Sequence, residues 1–196
     1  MEKKVPESPP VGGHPVRDAR RRKLLAVCEH FTTAPLVTLD CLDLTGSADK
    51  PFYMDRFFAR YETARPFDSC FNDETFDLVL CADSYQKYDC LPALADEIYR
   101  LLKSGGFCYL SGRGFFTPGR RDKTPGDKFY HTRRYLKKVF SDFWIHDYTP
   151  LIEENPGLFY DGYTPVERSG NIFSGFLGWL NMSFFSEFVW ILTKKK

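Results

Sequence analysis

The run Phe76-Asp-Leu-Val-Leu-Cys81 does most to narrow what this chain can fold into. It is short and almost wholly apolar, and Asn72-Asp73-Glu74 before it favours a turn, so it reads as a strand buried on both faces. Downstream, Leu91, Leu94, Ile98, Leu101 and Leu102 recur at helical spacing, while Asp96, Glu97, Arg100 and Lys103 take the other face. Gly105 supplies a left-handed stop, and Gly106 leads into a second apolar strand, Phe107-Cys-Tyr-Leu-Ser111. Strand, helix, glycine turn and strand make a right-handed βαβ unit, the building block of a parallel sheet.

The flanking segments are read from this unit outward. Residues 1–16 are rich in proline and carry Gly12-Gly13, which makes them a flexible lead-in to a single domain over 17–196. Arg17 to Phe31 is read as a helix with Leu24, Leu25, Cys28 and Phe31 on one face. Arg20 to Lys23 crowd the positive end of that helix's dipole, which keeps a short strand at Leu24 to Cys28 as the alternative. Pro35 to Leu44 alternates as a strand and closes on the turn Asp43-Leu-Thr-Gly46, after which Lys50 to Tyr61 is read as helical. Beyond Gly112 the sequence predicts a basic loop, a helix at Thr132 to Phe140, a strand at Phe143 to Tyr148, an irregular stretch to about Gly170, and a last strand at Glu187 to Thr193.

Charge and cysteine usage exclude several classes. The net charge of +1 gives no overall field toward nucleic acid or anionic lipid. The six cysteines include no C-x-x-C pair and are read as reduced. Met1 to Pro10 has no apolar core of a signal peptide, so an intracellular, cytoplasmic protein is expected. Ile172 to Leu192 has the length of a membrane span, but Asn181, Glu187 and its serines favour a buried hairpin or helix and strand, and no span is expected.

The segments Phe71-Asn-Asp-Glu-Thr-Phe-Asp-Leu-Val-Leu-Cys81 and Ala95 to Leu110 resemble the fourth strand, following helix and fifth strand of class I S-adenosylmethionine-dependent methyltransferases. In that family an F-x-D-x-x-F-D-x-V run enters the strand and an E-x-x-R-x-L-K-x-G-G run closes the helix, as Glu97, Arg100, Leu102, Lys103, Gly105 and Gly106 do here. The likeness continues more weakly through Tyr135 to Ile145 and Phe188 to Thr193, where the family places an antiparallel pair. It implies an α/β, Rossmann-like three-layer sandwich: a mostly parallel sheet with an antiparallel C-terminal strand. It also implies S-adenosylmethionine as cofactor, lying over the carboxyl ends of the strands, and methyl transfer to a substrate the sequence does not identify.

On the same resemblance, Ala82, Asp83 and Ser84 face the cofactor after the fourth strand. Asp43, with Asp40 as the alternative, ends the second strand and accepts hydrogen bonds from the ribose, and Asp68 is the nearest counterpart of the acid beside the adenine. The chain departs from the family in its Gly-rich loop, since no G-x-G occurs before Gly112. Either Leu24 to Cys28 is a remnant first strand with Glu29 in the loop, or that strand is missing.

Other readings stand beside this one. Asp43 also suits a turn that caps its own backbone, and Asp83 a helix N-cap. The basic, aromatic segment 113–138 suits RNA or a phosphorylated substrate as well as a solvated face, and His131 beside it is a candidate base or a structural residue. A catalytically inactive module, binding a protein partner through the aromatic C-terminal third, is the remaining alternative.

Overall fold

The structure is a computed structural model that describes residues 15–45, 54–65, 67, 70–82, 84–85, 88–112, 132–150 and 188–195, with backbone alone for 15–20. Its elements are α1 (Pro15–Phe31), β1 (Asp40–Asp43), β2 (Arg60–Thr63), β3 (Phe76–Ala82), α2 (Leu91–Leu101), β4 (Leu102–Gly112), α3 (Arg133–Val139), β5 (Phe143–Asp147) and β6 (Phe188–Lys194). They form one sheet in the order β2-β1-β3-β4-β6-β5. The first four strands are parallel, and β6 runs antiparallel to both β4 and β5.

Alternation along the strands builds two cores. On one face Val79, Cys81, Cys108, Leu110, Trp190 and Leu192 meet α2 and α3 through residues such as Leu94, Ile98, Leu136 and Phe140. On the other, Leu78, Leu80, Phe107, Tyr109 and Ile191 meet Leu24, Val27 and Cys28 of α1. Helix, sheet and helix thus give the expected three layers, and a strand buried on both faces explains the uninterrupted apolar run of β3. All six cysteines are free.

The front of the chain differs from the sequence reading. Leu24 to Cys28 lies within α1 and is not a strand, because Leu24, Val27 and Cys28 bury one helical stripe. The helix begins at Pro15, so Arg20 to Lys23 lie beyond the first turn, where the dipole penalty has faded. The first strand is therefore Asp40–Asp43, seated beside β3, and Asp43 ends the first strand of the sheet, not the second. The helix expected over Lys50 to Tyr61 is corrected as well: Asp55–Phe57 is a single 3-10 turn, and Arg60–Thr63 is an edge strand. Residues 46–53 lie outside the described residues.

The motif residues of the βαβ unit hold its amino ends together. Arg100 makes two hydrogen bonds to Glu97, both 2.8 Å, and reaches Asp73 at 2.7 Å and the Phe71 carbonyl at 2.9 Å, which fixes the turn into β3 against α2. Lys103 donates to Asp40 and Asp77, each at 2.9 Å, joining β1 to β3. Gly105 has the expected positive φ of 84°, but α2 has already ended at Leu101. The glycine instead serves a bulge between Leu102, paired with Phe76, and Phe107, paired with Leu78.

Candidate functional site at the strand switch

From β1 the chain steps outward to β2, then returns to lay β3 on the other side of β1. Neighbouring connections leave in opposite directions there, so the carboxyl ends of β1 and β3 open a crevice. A cavity of about 40 Å³ lies at that point, under α1, with Arg21, Lys23, Asp43, Thr45, Ala82 and Ser111 among its lining. That is room for a few waters or a small polar head group.

Asp43 is the acid of this crevice, and its side chain is 2% exposed. One carboxylate oxygen accepts hydrogen bonds from the Thr45 amide at 2.8 Å and the Thr45 hydroxyl at 2.5 Å, an Asx-type turn. The other accepts from the Tyr61 hydroxyl of β2 at 2.5 Å. Burial pushes the Asp43 carboxyl above its ordinary value of 3.8, against the pull of the Thr45 and Tyr61 hydrogen bonds, and burial also raises the Tyr61 phenol. The turn is gripped from β3 and from beyond it: the Leu44 amide donates to the Leu80 carbonyl at 2.8 Å, and the Tyr88 hydroxyl donates to the Leu44 carbonyl at 2.8 Å.

Of the residues expected at the site, the structure brings Asp43 and Ala82 to one crevice. Ser84 is buried, with its hydroxyl 3.3 Å from the Cys81 sulfur. Asp40 sits at the amino end of β1, in the pair with Lys103, and takes no part in the crevice. Asp68 and Asp83 lie outside the described residues, as do His131, most of the basic segment 113–138 and most of the aromatic C-terminal third. The described end of the basic segment forms α3, where Arg133 lies 3.8 Å from Asp147.

Sequence reasoning missed Lys23, Arg21, Tyr61, Glu62 and Ser111. Lys23 is a cation only 6% exposed, held in the stripe next to Leu24. Its unfavourable place in a basic helix start is visible in sequence, where it weighs against the helix and gives no sign of a site. Glu62 is the last residue but one of the unrecognised strand β2, paired in register with Leu42, and accepts from Arg60 Nε at 3.2 Å. The acid about 20 residues after the first strand was the available signal.

Residues 29–110 match the family model of a methyltransferase domain, a span that starts before β1 and ends within β4. No curated protein matches the chain. Among solved structures, it is similar to a S-adenosylmethionine-dependent methyltransferase from Archaeoglobus fulgidus at 12% identity and a TM-score of 0.53, covering 92% of this chain and 98% of that one. The YcgJ protein from Bacillus subtilis is alike at 13% identity and a TM-score of 0.53, with 88% and 98% covered. Phosphoethanolamine N-methyltransferase 2 of Haemonchus contortus, solved with S-adenosylmethionine, matches at 14% identity and a TM-score of 0.52; 88% of this chain aligns with 52% of that one. These distant structures share the fold, and the match to the methyltransferase-domain model takes in the residues of the strand switch itself.

Proposed function

We propose that the chain binds S-adenosylmethionine over the carboxyl ends of β1 and β3 and acts as a methyltransferase. The observation that carries this reading is the reversal of strand order between β1 and β3, which gathers Asp43, Thr45 and Ala82 at one crevice. The donor set there suits such a ligand: a buried carboxylate, two cations and the hydroxyls of Thr45 and Ser111, with Glu62 one strand further out. When bound, the cofactor supplies a sulfonium methyl that is already activated.

The protein's task is then orientation. Glu62 holds the position from which a doubly wound sheet binds ribose hydroxyls, so we assign it that contact. Asp43, nearer the centre and engaged by Thr45 and Tyr61, presents negative charge to the crevice. Ala82 ends β3 without a side chain large enough to close it. Asp68, Asp83 and Ser84 remain proposals for the same rim, and the methyl acceptor is assigned to residues beyond the sheet.

Calorimetric titration with S-adenosylmethionine and S-adenosylhomocysteine tests the reading, and saturable binding of both is the expected result. Absence of binding at roughly millimolar ligand would rule out methyl transfer by this chain. A second reading draws on the turn after β1, which Thr45, Tyr61 and Tyr88 close with side-chain hydrogen bonds where the family has glycines. It makes the chain a non-catalytic module that kept the sheet as a scaffold. Light scattering after size exclusion would support it if the protein bound neither ligand and formed a defined oligomer.

A further inference from the structure

We infer that Lys23 and Arg21 of α1 seat the carboxylate of the cofactor's amino-acid end, in place of a Gly-rich loop. This rests on the cofactor reading above and assigns two residues outside the segments on which the family resemblance was built. Both residues line the cavity at the strand switch, together with Asp43 and Thr45. Lys23 is 6% exposed, so its charge is withdrawn from bulk water and acts through a medium in which an ion pair is stronger than at the surface. Arg21 is half-buried, its guanidinium carbon 6.0 Å from the centre of the Phe57 ring.

The charge pattern selects the ligand. A cavity lined by two cations and a buried carboxylate is complementary to a zwitterion, its carboxylate toward α1 and its ammonium toward Asp43. Its volume of about 40 Å³ suits an amino-acid head and excludes a nucleoside, which belongs over the rim toward Glu62. A Gly-rich loop would bind the carboxylate with backbone amides. Side-chain cations of α1 do the same work here.

The test compares two ligands that differ at that head. S-adenosylhomocysteine carries the amino-acid end, and 5′-methylthioadenosine lacks it. Calorimetry on wild type, Lys23→Met and Arg21→Gln, each checked for an unchanged circular dichroism spectrum, reads both affinities. Lys23→Met is expected to weaken S-adenosylhomocysteine about tenfold or more, and Arg21→Gln less, with methylthioadenosine affinity unchanged. Equal loss for both ligands, or no loss for either, overturns the assignment. Should Lys23→Met not fold, Arg21→Gln alone decides by the same comparison. A wild-type protein that binds neither ligand overturns the cofactor reading as well, which distinguishes the two failures.

Discussion

Gly112→Ala probes how tightly the carboxyl end of β4 is built. A Cβ at Gly112 would stand 2.0 Å from Tyr85 Cε1 and 2.9 Å from Cδ1 and Cζ, where ordinary contact begins near 3.4 Å. The ring would have to retreat by about 1.4 Å. Tyr85 is fully buried, tilted against Phe188 at 5.7 Å between centroids, and has nowhere to go without moving the core. Overpacking a dense core costs about 1–3 kcal/mol, and a rigid aromatic neighbour sets the upper end. For a chain of this size, about 3 kcal/mol lowers Tm by about 6–12 °C. Thermal unfolding followed by circular dichroism measures it. Repeating the substitution in a Tyr85→Leu background should shrink the cost to under about 1 kcal/mol, since the clashing atoms are gone. The same cost in both backgrounds would refute the clash.

Three further outcomes follow from the crevice. Tyr61→Phe removes a hydrogen bond to a buried carboxylate and should cost about 1.5–3 kcal/mol in urea unfolding at neutral pH; a change below about 0.5 kcal/mol would mean that the contact carries no stability. Glu62→Gln, on a half-exposed edge strand, should leave Tm unchanged and weaken S-adenosylhomocysteine about tenfold by calorimetry, and an unaltered affinity would remove Glu62 from the ribose. Asp43 has a folded pKa raised above 3.8, so the native state binds the extra proton, and the stability this gives is full below pH 3.8 and lost as pH rises through the folded value. Urea unfolding of Asp43→Asn and wild type should therefore show a difference that moves in favour of the variant from acid to neutral pH, and a difference flat with pH would contradict it.

The sequence showed the centre of this fold better than its front. β3, α2 and β4 declared themselves because strands buried on both faces are continuously apolar and the helix between them has one apolar stripe. α3, β5 and β6 were likewise found near their observed limits. β2 was not legible: Arg60, Tyr61, Glu62 and Thr63 form an edge strand with no buried residue, so no apolar period marks it. Missing β2 moved Asp43 to the wrong strand number, although its turn and its place at a strand end were read correctly. Lys23 was illegible as a site residue because its cavity forms only when α1 crosses the strand ends, a tertiary fact that no local spacing encodes.

The hydrogen-bonded turn Asp43 to Thr45 bears on how the proposed cofactor crevice would meet its ligand. A buried carboxylate with a raised pKa costs stability at neutral pH, and Asp43 offsets only part of that through Thr45 and Tyr61. The same hydrogen bonds tie three strands to one point: Tyr61 grips Asp43 from β2, Tyr88 grips Leu44 from beyond β3, and the Leu44 amide is held by Leu80. A glycine loop must be ordered when its ligand arrives, which spends binding energy. Here Asp43, Leu44 and Thr45 are already held by hydrogen bonds in the folded chain, so the crevice meets a ligand with its acid fixed. On the proposed function, such a site gains affinity by pre-organisation, and the head group expected to bind best is one that matches the charges of Lys23, Arg21 and Asp43.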